Sequence, residues 1–482
     1  MAMRLSDVIK QGRATDPMIA GVTADSRQVK PGFLFAALPG AKVDGRSFIP
    51  AAVAAGAAAV LVPSETPDQA VPTVRAGDVR RAYALAAAAF HGAQPAVVVA
   101  VTGTNGKTSV ATFCRQIFAR LGHGAASLGT LGLQTETENL TPPGLTTPDA
   151  ADIARFAAEL AGRGVTHLAV EASSHGLDQR RLDGLKLTAA AFTNLTQDHL
   201  DYHGDMAVYA AAKLRLFNEL LPRGVTAVLN ADADGFREFV AAAVSHGQTV
   251  LSVGEGGTSV RLLSRVAEPD GQRLEIQVGR LQRAVRLPLA GAFQASNALV
   301  AAGLAIAAGE DPAAVLDALE YLHGAPGRLQ RIGAGPAGGD AYVDYAHTPD
   351  GLRTVLESLR PHASGRLLVV FGAGGDRDRA KRPLMGRAAA DLADLAFVTD
   401  DNPRSEDPAV IRREVLAGAA DALEVPDRRA AIRAAVAQLR DGDVLVVAGK
   451  GHEQGQIVGD RVLPFDDVAE TRAALDGEAA HV

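Results

Sequence analysis

The chain reads as an α/β protein of about three domains: a small N-terminal α/β domain, a central domain with a mainly parallel sheet around a phosphate loop, and a C-terminal Rossmann-like, doubly wound domain. Three observations predict this. Apolar, β-branched runs alternate with helical patterns through the middle and the end of the chain, as βαβ units on parallel sheets require. One run, Val97 to Thr102, breaks into the glycine-containing loop Gly103-Thr104-Asn105-Gly106 before Lys107-Thr108 and a helical pattern. The segments His91-Gly92-Ala93-Gln94-Pro95 and Gly324-Ala325-Pro326-Gly327 read as linkers and divide the chain into 1–92, 93–325 and 326–482.

The first region holds short strand-like runs at 32–37 and 57–62 and an alanine-rich helix over 80–90. In the second, the loop strand is followed by a helix over 109–121, with Val110, Phe113, Ile117 and Phe118 at helical spacing. Strands are expected at 166–170, 189–192 and 226–229, and helices over 149–162, 207–221 and 295–308. The alternation restarts in the third region, with strands at 341–345, 366–371, 395–399 and 444–448 and helices over 349–360 and 382–392.

Composition narrows the class. A 47% hydrophobic and 21% charged chain is ordinary for a globular protein, and a net charge of −7 over 482 residues gives no reason to expect nucleic acid or an anionic membrane as partner. The most apolar runs, 51–62 and 298–308, are too short to span a bilayer. Met1 to Lys10 lacks the apolar core of a secretory signal, and a single cysteine, Cys114, allows no internal disulfide. A cytoplasmic location is expected.

The chemistry begins at the loop. A strand turning tightly into a helix aims backbone N–H groups and the positive helix end at one point, which suits a polyphosphate. Lys107 then reaches the outer phosphates and the Thr108 hydroxyl suits Mg²⁺, although Val101 stands where the first glycine of the usual loop would be. ATP or GTP binding follows. Glu171 ends an apolar strand, where a carboxylate faces the ligand crevice of a parallel sheet and suits the same Mg²⁺; it reads equally well as a loop glutamate beside Ser173-Ser174-His175. The stretch Thr193 to His203 is dense in metal- and phosphate-compatible groups, but a lone His199 is more often a hydrogen-bonded loop residue. Lys213 on its helix reads, by itself, as a solvated surface lysine. Gly372-Ala373-Gly374-Gly375 lacks the third glycine of a dinucleotide fingerprint, so a dehydrogenase is disfavoured.

Taken together, Thr102-Gly103-Thr104-Asn105-Gly106-Lys107-Thr108, Glu171-Ala172-Ser173-Ser174-His175-Gly176-Leu177 and Asn194 to Gly204 resemble the Mur ligases, the ATP-dependent amide-forming enzymes of peptidoglycan synthesis. Asp344-Tyr345-Ala346-His347-Thr348-Pro349, Gly374-Gly375-Asp376-Arg377-Asp378, Asp401-Asn402-Pro403-Arg404 and Gly449-Lys450-Gly451-His452-Glu453 narrow the resemblance to the branch that adds a diamino acid. Folylpolyglutamate synthase shares the ligase core but does not explain the first 90 or so residues or Asp401-Asn402-Pro403-Arg404.

The resemblance implies ATP, UDP-N-acetylmuramoyl-L-alanyl-D-glutamate (UDP-MurNAc-L-Ala-D-Glu) and meso-diaminopimelate as small-molecule substrates, an acyl phosphate intermediate, and a monomer. It implies a phosphate loop of Gly103, Thr104, Asn105, Gly106, Lys107 and Thr108, with Asn297, Arg328 and Asp344 on adenine and ribose. Lys107, Glu171, His199 and Lys213 carry the catalytic role; Thr108 and Glu171 serve one Mg²⁺, and His199 and a CO₂-derived carbamate on Lys213 serve a second. Carbamylation turns an ammonium into an anion and requires a depressed lysine pKa. Ser26, Ala41, Lys42, Val43, Thr146, Thr147, Ser173, Gln179 and Arg181 match positions that hold the UDP substrate. Arg377, Asp401, Asn402, Pro403, Arg404, Gly449 and Glu453 match those that hold diaminopimelate. Arg404 decides the amino acid: its guanidinium fork grips the extra carboxylate of diaminopimelate and is left unpaired by lysine.

Overall fold

The computed structural model describes residues 2–10, 15–40, 43–142 and 144–477. They form two compact units, Met1–Arg261 with Val300–Val315 and Leu262–Leu299 with Leu316–Val482.

The first unit contains two sheets. Strands Gly21–Thr23, Phe33–Ala36, Ala59–Pro63 and Thr73–Ala76 pair in parallel, in that order. Helix Val79–His91 covers one face, burying Val79, Tyr83 and Ala87 with Leu34, Leu61 and Val74. Asp78 starts this helix by accepting from the Arg81 amide, one of the orphan donors a helix start leaves. Tyr83 reaches out of this core to bond Asp149 Oδ1 at 2.6 Å, the cap of helix Ala150–Gly162.

The second sheet carries the phosphate loop. Its parallel strands run in the order Thr249–Gly254, Thr226–Asn230, Ala189–Phe192, Val97–Thr102, His167–Glu171, Ala125–Gly129. Gly132–Thr135 pairs antiparallel with the last of these. The central strands are apolar throughout because helices cover both faces, and Ala189–Phe192 is buried at every residue. Phe192 stacks on Phe239 with centroids 3.7 Å apart. The loop strand lies centrally, so the loop and Glu171, at the ends of adjacent strands, face the same crevice.

The helix expected over 207–221 is α-helical over Met206–Arg215 and continues as a π-helical turn, Leu216–Leu220. Such turns are frequent at functional sites, and this one follows Lys213 by less than a turn.

The second unit has a six-stranded sheet in the order Gln330–Ala334, Asp340–Asp344, Val444–Ala448, Leu367–Phe371, Leu395–Val398, Leu423–Glu424. The first pair is antiparallel and the rest are parallel. Helices Pro349–Leu359 and Lys381–Leu392 contribute to one core and Arg428–Ala437 and Asp467–Leu475 to the other, the doubly wound arrangement that the alternation predicts. The hairpin Gly271–Val278 with Leu281–Leu287 was not anticipated. Its strands mix charges such as Arg273, Glu275 and Arg283 with apolar residues, and only one face is buried.

Candidate active site

The phosphate loop leaves strand Val97–Thr102 at Gly103 and enters helix Lys107–Arg120 through Gly106, in the left-handed region at φ 87°. Gly103 has φ 151°, and a Cβ there would collide with the Thr193 hydroxyl. The chain following strand Ala189–Phe192 braces the loop. Thr104 N–H donates to Asn194 O at 2.9 Å, Asn105 N–H to Asn194 Oδ1 at 2.9 Å, and Thr193 Oγ1 to Asn105 O at 2.6 Å.

Thr108, in the first turn, donates its hydroxyl to Glu171 Oε2 at 2.9 Å. Glu171 Oε1 accepts from Thr130 N–H at 2.9 Å, and the residue is buried. Gly129 makes this possible, since a Cβ there would overlap the carboxylate. A hydroxyl and a carboxylate at a helix N-terminus are hard oxygen donors of the kind Mg²⁺ prefers.

Lys107 Nζ donates to Gly103 O at 2.9 Å and Thr104 O at 2.8 Å. Lys213 Nζ donates to the same Gly103 carbonyl at 2.7 Å, so two lysines converge on one oxygen. Lys213 is 1% exposed and lies over the Tyr209 ring, Nζ 4.4 Å from its centroid. Burial, and then the Lys107 charge, hold its pKa well below the ordinary lysine value; both act by disfavouring the ammonium. His199 is exposed, in the left-handed region at φ 52°, with Nε2 3.5 Å from Asp198 Oδ2. Its ring lies 4.9 Å from that of His175, which in turn contacts Tyr202 and His203.

Glu171 also anchors the residues matched to the UDP substrate. Thr147 Oγ1 donates to the Glu171 carbonyl at 2.8 Å and accepts from Ser173 N–H at 3.0 Å. Thr146 Oγ1 lies 3.0 Å from Thr130 Oγ1. Arg181 donates to Thr147 O at 2.6 Å and to Gln179 Oε1 at 2.7 Å. Ser26 lies apart from this group, lining an N-terminal cavity of about 840 Å³ with Asp25, Phe48, Tyr83 and Arg155. Val43 is exposed; Ala41 and Lys42 lie outside the described residues.

In the second unit, Asn297 donates to Gln294 Oε1 at 3.1 Å, and Gln294 to Arg328 O at 2.9 Å. The Arg328 guanidinium lies 4.5 Å from the Tyr345 ring centroid. Asp344 accepts from the backbone N–H groups of Leu329 at 2.6 Å and Ala346 at 2.8 Å, and burial raises its carboxyl pKa. The Gly449 N–H donates to Asp344 O at 3.1 Å, which joins this group to the residues matched to diaminopimelate.

There, Asn402 Nδ2 donates to Glu453 Oε2 at 3.0 Å, while Asn402 Oδ1 accepts from Lys450 Nζ at 2.8 Å and Ile457 N–H at 2.9 Å. Lys450 is fully buried, with Glu453 at 3.6 Å and Asp401 at 3.8 Å. Pro403 leads into Arg404, whose φ is 51°; the Arg404 guanidinium donates to Gly375 O at 2.7 Å. Arg377 is exposed on the loop that follows Gly375.

Known protein families match this chain along most of its length. The Mur ligase family catalytic domain matches residues 18–91, the Mur ligase middle domain residues 101–305, and the Mur ligase glutamate ligase domain residues 327–451. The chain belongs to the Mur ligase family. A UDP-N-acetylmuramoyl-L-alanyl-D-glutamate–2,6-diaminopimelate ligase from Caulobacter vibrioides is 67% identical over 99% of both chains. One of the same description from Brucella melitensis is 52% identical over 98% of this chain and 97% of its own. A solved structure of a ligase so described superposes with a TM-score of 0.77 at 34% identity, covering 99% of each chain.

Several residues of this Mur ligase's candidate site were not singled out from sequence. Thr130 lies just beyond strand Ala125–Gly129, where nothing in its neighbourhood marks it, yet it bonds the Glu171 carboxylate. Tyr209, one turn before Lys213, carries its hydroxyl 3.2 Å from Thr104 Oγ1. A tyrosine four residues before a lysine on a helix was the available signal, since those positions share a face.

Proposed function

We propose that the chain is an ATP-dependent ligase that joins meso-2,6-diaminopimelate to the D-glutamate of UDP-MurNAc-L-Ala-D-Glu. The observation that carries the reading is the buried Thr108–Glu171 pair at 2.9 Å beside two lysines sharing the Gly103 carbonyl. It couples an oxygen-donor pair to a concentration of positive charge in one braced loop.

The chemistry follows from what a carboxylate lacks. It is a poor electrophile, and oxide is not a usable leaving group. Attack of the glutamate side-chain oxygen on the γ-phosphorus of ATP breaks the bond to the bridging oxygen, releasing ADP and leaving an acyl phosphate. The amine of diaminopimelate then adds to the acyl carbon, loses a proton, and the C–O bond breaks with phosphate departing. Lys107 spreads positive charge over the transferred phosphoryl. Thr108 and Glu171 are the oxygen donors for one Mg²⁺, and His199 with a Lys213 carbamate would hold a second. Mg²⁺ bound there supplies Lewis-acid neutralisation of phosphate charge. Lys213 suits carbamylation because its buried amine is held toward the neutral form, and only a neutral amine adds to CO₂.

Asn297, Arg328 and Asp344 are assigned to the adenosine, Ser26 and the 41–43 turn to the uridine diphosphate end, and Thr146, Thr147, Ser173, Gln179 and Arg181 to the muramoyl peptide. Arg404, with Arg377, Asp401, Asn402, Pro403, Gly449 and Glu453, is assigned to diaminopimelate, Glu453 suiting its distal ammonium. The working arrangement is a cytoplasmic monomer with regions 1–92, 93–325 and 326–482 holding the UDP substrate, ATP and the amino acid. Among the described residues no helix is long and apolar enough to cross a membrane.

ADP release measured with UDP-MurNAc-L-Ala-D-Glu and either diaminopimelate, lysine or ornithine tests the reading. Release that requires all three substrates and favours diaminopimelate is expected. Equal turnover with lysine overturns the amino-acid assignment, and no release with any acceptor overturns the ligase reading.

A further inference from the structure

Three side chains in the first unit, outside the candidate active site, meet at the opposite end of the central sheet. His123 Nε2 lies 2.9 Å from Glu310 Oε1, and His167 Nε2 lies 3.6 Å from the same oxygen. The two imidazoles face each other with centroids 4.0 Å apart, and the three potential ligand atoms all lie within 4.8 Å of one another. We infer that His123, His167 and Glu310 form a binding site for one divalent transition-metal ion of the zinc type.

The backbone builds this cluster by two matching devices. Helix Lys107–Arg120 ends through Gly122, at φ 90°, with the His123 N–H donating to Phe118 O at 3.0 Å. Helix Ala292–Ala307 ends through Gly309, at φ 106°, with the Glu310 N–H donating to Ala305 O at 3.1 Å. Both are closures by a left-handed glycine, and both put the ligand residue immediately after that glycine. Two helix C-termini, each carrying partial negative charge, therefore end at the cluster, which favours a cation there.

His167 is the first residue of strand His167–Glu171 and is buried against Phe118, ring centroids 4.6 Å apart. Its Nδ1 lies 2.8 Å from Thr166 Oγ1, which fixes the ring and leaves Nε2 aimed at Glu310. A ligating histidine is usually held in this way through its other nitrogen. Burial lowers the His167 pKa, which favours the neutral imidazole that ligation needs.

Two imidazoles with one carboxylate suit Zn²⁺, Co²⁺ or Ni²⁺ and leave a further position for water, whereas Mg²⁺ and Ca²⁺ prefer all-oxygen sets. The site would act as a staple. Helix Lys107–Arg120 begins at the phosphate loop and ends just before His123; strand His167–Glu171 begins at His167 and ends at the carboxylate that faces the loop. An ion here pins the far end of both elements.

The test uses the metal-stripped full chain with excess Mg²⁺ to occupy oxygen sites. Zn²⁺ affinity is measured by competition with a chromophoric chelator, and thermal midpoints are recorded with and without Zn²⁺. The wild type should bind one equivalent that His123→Gln and Glu310→Gln each weaken at least about tenfold. Zn²⁺ should raise the midpoint of the wild type and not of these variants. Thr166→Val, which retains all three ligands, should weaken binding by a smaller factor and guards against loss of fold in the other two. Equal stoichiometry and affinity in wild type and both ligand variants, or an unchanged wild-type midpoint on adding Zn²⁺, would overturn the site.

Discussion

The surroundings of Lys213 and of Lys450 solve the same problem in opposite ways. Each places a lysine ammonium out of water, and desolvation is the first cause that lowers both pKa values. Lys450 is given anions in return: Asp401 and Glu453 lie within 4 Å, and Asn402 accepts a hydrogen bond from it. Lys213 is given a carbonyl, an aromatic face and a second lysine, and its nearest charge, Lys107, lowers its pKa further. The first region is charge-compensated before any ligand arrives, as suits a pocket that must receive a zwitterion without reorganising. The second is deficient in negative charge, as suits a pocket that takes up phosphates, or a carbamate.

The sharpest way to break this contrast is Lys213→Ala. If the lysine serves as a carbamate-bearing ligand, kcat should fall roughly 10³-fold, about 4 kcal/mol, as for loss of a principal electrostatic group. Added bicarbonate should not restore activity, whereas a short carboxylic acid should do so in part. Wild-type rates in the variant would remove the carbamate. The compensated region makes the opposite demand, that pairs be kept whole. Arg428 and Asp467 form a fully buried bidentate pair at 2.7 Å and 2.7 Å, with Arg428 also bonding Ala448 O at 2.9 Å. Asp467→Asn should cost about 3 kcal/mol in denaturant unfolding by leaving the guanidinium unmatched, and a loss below roughly 0.5 kcal/mol would show that the pair is not structural.

Smaller than either is Arg404→Ala, expected to reduce kcat/KM for diaminopimelate by about 2 kcal/mol while changing turnover of lysine little. Arg404 is held in a left-handed backbone conformation and donates to the Gly375 carbonyl, so its fork is positioned by the loop rather than by a carboxylate partner. An unchanged preference for diaminopimelate over lysine would retire Arg404 as the selector.

The same contrast explains what was legible in the sequence. Local patterns sufficed for the parallel strands: Ala189–Phe192 and Val444–Ala448 coincide with the expected bounds because both are unbroken apolar runs with turn residues after them. The phosphate loop was legible because strand, glycines, Lys107 and Thr108 are contiguous. Lys213 was not, since nothing near it in sequence reports its burial; the carbonyl it meets is 110 residues away. Thr130 and Glu171, 41 residues apart, are likewise brought together only by pairing of the intervening strands. The hairpin Gly271–Val278 with Leu281–Leu287 escaped because its buried residues, among them Leu274, Ile276 and Val285, are interleaved with charges and make no run.

The mildest test concerns the loops that carry Arg377 and Arg404. Glu406 bonds Arg382 at 2.8 Å, Arg379 at 2.8 Å and the Asp376 N–H at 2.7 Å, and so ties the loop after Gly375 to the one that follows Pro403. The Arg382 hydrogen bond, then that from Asp376, hold the Glu406 carboxyl down from 4.5 to about 2. A carboxyl whose folded pKa lies below its unfolded one stabilises the fold above the unfolded value, and that contribution disappears as pH falls through the folded one. Glu406→Gln should therefore unfold at lower denaturant than wild type at neutral pH, and the two should converge as pH falls from about 5 toward 2. Arg382 is fully buried, so the variant leaves a cation with only Glu414 and the Gly374 carbonyl to answer it. A gap between the two proteins that stays constant down to the lowest pH would mean that Glu406 acts through packing, and that compensation in this region ends at Lys450 and Arg428.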